Sequence, residues 1–243
     1  SALEMAEALR TAARGLEAGV LSVSPETFVG RQAELAFLEE RFAAAAAGMG
    51  SVVFVTGERG AGKTTLVGEF LRRVQSGTSP VTVVAGRCTE TQDGPGEAFL
   101  PFLDAMGRLL TSRGRDQASE LLRTYAPTVC VQMPAALLPD PDGALRRQAA
   151  GATKERLIRE GGDFMEAACR LFPIVLYLED LHWSDPATVD MLHHFGCRLA
   201  RQRTLIVATF RQADVDAAKA PLKRCVLDLV ARGAARELAL GAL

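Results

Sequence analysis

Along the chain, short runs of continuous apolar residues alternate with longer stretches in which apolar positions recur every third or fourth residue. Residues 52–55, 173–178 and 204–208 are runs of the first kind, and 81–85 is similar. Each has the length of one strand and no polar face, which is the pattern of a parallel sheet covered on both sides. The other stretches read as helices. Leu9, Ala13, Leu16 and Val20 stand at helical spacing in a segment that ends at Ser22-Val23-Ser24-Pro25. Leu35, Leu38 and Phe42 form one face of a helix over 31–47, which Gly48-Met49-Gly50 stops. The predicted order is then a strand at 52–56, a helix at 63–73 and a strand at 81–85. Helical pattern runs throughout 98–170, with one stripe of Phe99, Phe102, Leu103, Met106 and Leu110 and another of Leu121, Leu122 and Tyr125. Pro127, Pro134, Pro139 and Pro141 precede one long helix over 145–171. Strands follow at 174–178, 205–209 and 237–240. Strands alternating with helices predict an α/β fold with a mainly parallel sheet.

Composition narrows this picture. The 243 residues are 48% hydrophobic and 23% charged, which excludes a disordered or collagen-like chain. The length suits one large domain or two small ones, able to bury a core without disulfides or structural metals. The formal net charge of −1 provides no overall basic field for nucleic acid or anionic lipid. No apolar run approaches the roughly 18 residues of a membrane span, and no signal peptide opens the chain. Cys88, Cys130, Cys169, Cys197 and Cys225 are scattered without a CxxC pair. They read as reduced structural thiols of a cytoplasmic protein, not as a disulfide framework or a zinc site. The chain begins at Ser1 and is expected to be a piece of a longer protein.

The strongest chemical signal lies between the first strand and the helix after it. Gly57-Glu58-Arg59-Gly60-Ala61-Gly62-Lys63-Thr64 fits the phosphate-binding loop G-x-x-x-x-G-K-[ST] at every fixed position. Glycines let backbone N–H groups approach phosphate oxygens, and the helix N-terminus adds partial positive charge. Lys63 supplies a full charge to the β- and γ-phosphates, and Thr64 a hydroxyl to Mg²⁺. Thr65 is placed to face the α-phosphate. A second signal is the strand ending in Glu179-Asp180. A P-loop NTPase needs one acid to hold Mg²⁺ and often a second to orient the attacking water. Neighbours on a strand face opposite ways, so the acids are expected to divide these roles. Position puts Glu179 on the metal side and Asp180 on the water side, although Asp is the usual metal-side residue. His182 either senses the γ-phosphate or holds the loop. Trp183 reads as a packing anchor, and Ser184 or Asp185 caps the helix that starts at Pro186. At the next strand end, Thr209 or Arg211 is expected to reach the γ-phosphate, since ligands of open parallel sheets bind at carboxyl ends of strands.

These features together resemble the AAA-type ATP-binding module of bacterial signal-transduction ATPases with numerous domains. Phe28-Val29-Gly30-Arg31-Gln32-Ala33-Glu34-Leu35 is similar to the opening motif FVGRexEL. Glu179-Asp180-Leu181-His182-Trp183-Ser184-Asp185 is similar to the EDLHWxD signature, and Thr209-Phe210-Arg211 to the TxR sensor. Gly94-Pro95-Gly96-Glu97-Ala98-Phe99-Leu100-Pro101 also resembles a stretch of this module. The resemblance covers residues 28–243. It implies a five-stranded sheet in the order 2-3-4-1-5 and places Val29, Gly30 and Arg31 near the adenine and ribose. It also implies ATP, ADP and Mg²⁺ as ligands and a nucleotide-dependent homo-oligomer. Such modules belong to LuxR-type or winged-helix transcriptional regulators and to some nucleotide cyclases, so effector and sensor domains are implied partners.

The expected organisation is therefore a linker helix at 1–24 and a P-loop ATPase core at 25–243, with a helical insertion at 94–170. The lid of the family is expected to be absent, because the chain stops where it would begin. The expected function is a slowly hydrolysing nucleotide switch. The alternative is an ADP-locked interaction module without turnover. A replication-initiator-type DNA clamp shares the loop, but its acidic strand usually ends Asp-Glu and it needs a basic field. A small-molecule kinase would need lid arginines. Arg146, Arg147 and Arg156 read as a solvated helix face, or else as the source of an arginine finger across a protomer interface.

Overall fold

The computed structural model describes residues 30–77, 80–90, 98–111, 115–217 and 221–241. The helix expected at 1–24, together with Phe28, Val29 and residues 94–97, lies outside them. In chain order the elements are α1 (Gln32–Ala46), β1 (Ser51–Thr56), α2 (Lys63–Ser76), β2 (Thr82–Arg87), α3 (Leu100–Leu109), α4 (Arg115–Tyr125), α5 (Pro127–Cys130), α6 (Ala144–Ala149) and α7 (Lys154–Leu171). These are followed by β3 (Ile174–Glu179), α8 (Pro186–Arg198), β4 (Thr204–Phe210), α9 (Gln212–Ala217), α10 (Pro221–Ala231) and β5 (Ala235–Ala239).

The strands form one parallel sheet in the order β2-β3-β4-β1-β5. β1 is apolar along its whole length because it is paired on both edges and covered on both faces. Val53 lies opposite Val207 on one side and Arg236 on the other. The two-residue period then sorts its side chains. Val53 and Val55 join Val175, Tyr177, Leu205 and Val207 beneath α1 and α2, where Leu35, Leu38, Leu66 and Phe70 complete one core. Val52 and Phe54 join Leu176, Leu178, Ile206 and Ala208 on the opposite face, beneath α3, α7, α8 and α10. This burial is why the strands read as unbroken apolar runs.

Several expectations change. β2 extends two residues further than 81–85 suggested, because Gly86 pairs with Leu178 and Arg87 with Glu179. The long helix over 145–171 is in fact two. Gly151 takes a left-handed φ of 68°, and the Thr153 side chain then caps α7 by accepting the Arg156 N–H at 3.3 Å. Asp140 organises the start of α6, accepting the N–H groups of Leu145 and Arg146. Nor is 98–170 helical throughout, since residues 131–143 are turns and irregular chain. The remaining helices of this segment pack together and close one side of the sheet.

Gly86 has a role that a strand glycine rarely shows in sequence. α3 lies so close to β2 that a Cβ at Gly86 would stand 1.7 Å from the Pro101 carbonyl oxygen. No side-chain rotation relieves a clash with backbone. Gly86→Ala should therefore cost about 2–3 kcal/mol or more, read as a lower urea midpoint; an unchanged midpoint would mean that α3 can slide off the strand without penalty.

Candidate functional site

The phosphate-type loop begins where β1 runs out. Gly57 has φ 153° and Gly62 has φ 82°, values that side chains rarely tolerate. Gly62 is the N-cap of α2, so Lys63 is the first residue of the helix and lies at its positive end. Lys63 is only 8% exposed. Its Nζ donates to the carbonyls of Gly57 at 2.7 Å and Glu58 at 2.9 Å, which holds the ammonium inside the loop. Burial pushes its pKa down, and the charge of Arg211 adds to this, while Asp180, Glu58 and Asp214 oppose it. Residues from three strand ends thus share one field.

Thr64 is exposed, and its hydroxyl donates to Glu179 Oε1 at 3.1 Å. This contact joins α2 to the end of β3 and sets a hydroxyl beside a carboxylate. Such hard oxygen donors suit Mg²⁺. Thr65 is half-buried.

The opposite-facing arrangement of the acids does not hold, because the strand ends at Glu179. Asp180 has φ 58° and ψ 45°, a left-handed conformation that swings its carboxylate out of the strand alternation. Both acids consequently meet one guanidinium. Arg87 Nε lies 3.7 Å from Glu179 Oε2, and Arg87 Nη2 lies 3.4 Å from Asp180 Oδ2. The sequence reading missed Arg87. Its signal is the parallel register that places it beside Glu179, which no local pattern encodes.

Thr209 is 1% exposed, and its hydroxyl accepts the N–H of Asp180 at 3.1 Å. It braces the turn that carries the acid from below. Arg211, at the end of β4, pairs with Asp214 at 3.5 Å. His182 Nε2 lies 3.7 Å from the same carboxylate. Its ring is buried, and neither nitrogen has a hydrogen-bond partner among the described residues. Burial pushes its pKa down, most strongly opposed by the charge of Asp180. Trp183 is partly buried against the core on the sheet face opposite α1 and α2, with its ring 5.0 Å from that of His182. Asp185, not Ser184, caps α8, accepting the N–H groups of Ala187 at 2.7 Å and Thr188 at 3.0 Å.

Gly30 and Arg31 lead into α1, both with positive φ. The Arg31 guanidinium donates to Glu34 at 3.0 Å, to the Ala61 carbonyl of the loop at 3.4 Å, and to the Gly241 carbonyl beyond β5. It is a brace under the loop, a role invisible in sequence. Arg156 is held by Glu160 at 2.7 Å and by the Gln148 carbonyl at 3.0 Å, and Arg147 by the Asp142 carbonyl at 2.6 Å. These bonds lie within the helical segment itself. All five cysteines are free, and four are buried; Cys197 is exposed. Among the described residues, no helix is long and apolar enough to cross a membrane.

A family model described as an AAA ATPase domain matches residues 27–207. An uncharacterized protein of Rhizobium meliloti (strain 1021) is 27% identical over 198 residues, which span 75% of this chain and 18% of that protein. A chain of the Drosophila ORC bound to DNA aligns with a TM-score of 0.40 and 12% identity over 87% of this chain and 93% of that one. VirB4 of Thermoanaerobacter pseudethanolicus aligns with a TM-score of 0.35 and 12% identity over 79% and 77%.

The Thr209 brace can be checked without touching a charged group. Thr209→Val keeps the shape and leaves the Asp180 N–H unpaired, which should cost about 1–3 kcal/mol in chemical denaturation. A variant as stable as the parent would show that this bond contributes nothing.

Proposed function

Because the chain belongs to the AAA ATPase domain family, we propose that it binds ATP and ADP with Mg²⁺ at the C-terminal ends of β1, β3 and β4 and hydrolyses ATP slowly. The observation that carries the reading is the buried Lys63 ammonium held inside the loop, next to a Thr64 hydroxyl that reaches the Glu179 carboxylate. Phosphates are held by the backbone N–H groups of Gly57, Gly60, Ala61 and Gly62 and by the N-terminus of α2. Lys63 trades its two loop carbonyls for phosphate oxygens, and Thr65 stands next along the helix. Thr64 and Glu179 hold Mg²⁺, with Asp180 beside them; when bound, the ion offsets the negative charge of the β- and γ-phosphates. Asp180 orients the attacking water and accepts its proton, with Thr209 fixing the turn behind it. Arg211 and His182 answer to the γ-phosphate. The base and ribose are assigned to Val29, Gly30 and Arg31.

In this reading the chain is a regulatory nucleotide switch of a multidomain bacterial signalling protein or transcriptional regulator. It works in the cytoplasm, with a lid and with sensor and effector domains, and forms a nucleotide-dependent homo-oligomer. It makes no direct contact with nucleic acid.

Lys63→Ala should lose about 1.5–3 kcal/mol of nucleotide affinity, roughly ten- to a hundredfold in Kd by calorimetry. Asp180→Asn should keep that affinity and lower steady-state turnover by about a hundredfold or more. Equal affinity in Lys63→Ala and the parent would sink the reading. If the parent retains ADP through purification and shows no turnover, it is instead an ADP-locked binding module.

A further inference from the structure

A second cluster lies between α8 and α10, on the sheet face opposite α2. His193 and Cys197 are four residues apart on α8, so both point from one face of the helix. Asp228 reaches them from α10. His193 Nε2 stands 2.7 Å from Asp228 Oδ2 and 3.8 Å from Cys197 Sγ. The nitrogen, sulfur and oxygen all lie within 4.8 Å of one another. The two helices are locked at the neighbouring residues: a Cβ on Gly196 would stand 2.8 Å from the Leu229 methyl carbons. The three groups are therefore presented by packed backbone and not by loops.

We propose that His193, Cys197 and Asp228 form a zinc site, with water as the fourth ligand, that clips α8 to α10. One imidazole, one thiolate and one carboxylate form a donor set that favours zinc over magnesium or calcium. Tetrahedral zinc, with bonds of about 2.0–2.3 Å, sets its donor atoms about 3.3–3.6 Å apart. The 2.7 Å nitrogen–oxygen spacing opens and the 3.8 Å nitrogen–sulfur spacing closes slightly to reach that. Cys197 is exposed, which gives the ion its way in. On binding, the thiol releases its proton to solvent and His193 enters neutral. One group competes. Arg232 Nε donates to Asp228 Oδ2 at 2.6 Å, but its side chain is 59% exposed and free to turn out into water. The same three residues could otherwise form no more than an ion network with Arg232, and the test separates the two.

Co²⁺ added to the reduced 243-residue chain should give a thiolate-to-cobalt charge-transfer band and strong tetrahedral visible bands. Both should saturate at one equivalent and be displaced by one equivalent of Zn²⁺. The other four cysteines are buried, so Cys197→Ser should abolish the charge-transfer band. His193→Ala and Asp228→Asn should each weaken binding at least about tenfold. Arg232→Ala, which removes the competing charge and no ligand, should tighten it several-fold. No charge-transfer band in the unaltered chain would overturn the proposal, as would a band that survives Cys197→Ser or weaker binding in Arg232→Ala. Circular dichroism of each variant separates lost ligation from lost folding, and nucleotide affinity should be unchanged throughout.

Discussion

Strand β1 is hydrogen-bonded along both edges, to β4 on one side and β5 on the other, and buried on both faces. Its last residue, Thr56, still accepts the Leu240 N–H at 2.8 Å. The phosphate-type loop therefore springs from a strand held on both edges and both faces. Nothing at that end can shift without breaking a ladder on each side and opening two cores. The fixed exit of β1 sets where α2 begins, and α2 sets where Lys63 and Thr64 stand. The parallel order then brings the ends of β3 and β4 to the same rim, because parallel strands finish together.

The rim that results carries cations and anions in alternation. Lys63, Arg87 and Arg211 stand among Glu179, Asp180 and Asp214. Each charge has an opposite neighbour. A phosphate and a divalent cation arriving together would substitute for existing partners on both signs. The buried His182, whose ring nitrogens have no hydrogen-bond partner among the described residues, lies next to Asp214.

What the sequence makes legible follows from how far apart the interacting residues lie. The loop, the strand–helix alternation and the acidic strand end are local, and each appears as a run or a spacing. The sheet order emerged only from the resemblance of several motifs to a known module. The register that pairs Arg87 with Glu179 is set by the whole sheet, and no single segment contains it. The left-handed turn at Asp180 is a one-residue backbone event that reverses an argument from strand alternation. The break at Gly151 was hidden because apolar spacing continues across it, whereas the glycine itself carries the signal. His193 and Cys197 are one helical turn apart, but Asp228 reaches them across a helix–helix contact that periodicity does not specify.

The Arg31 guanidinium serves two carbonyls far apart in the chain, Ala61 in the loop and Gly241 past β5. A planar group with bonds in fixed directions cannot follow one acceptor without moving relative to the other. The loop crest and the chain leaving β5 are thus geared together through a rigid, permanently charged link. A change in the curl of the loop is felt at Gly241 as a change in hydrogen-bond geometry, and the reverse also holds.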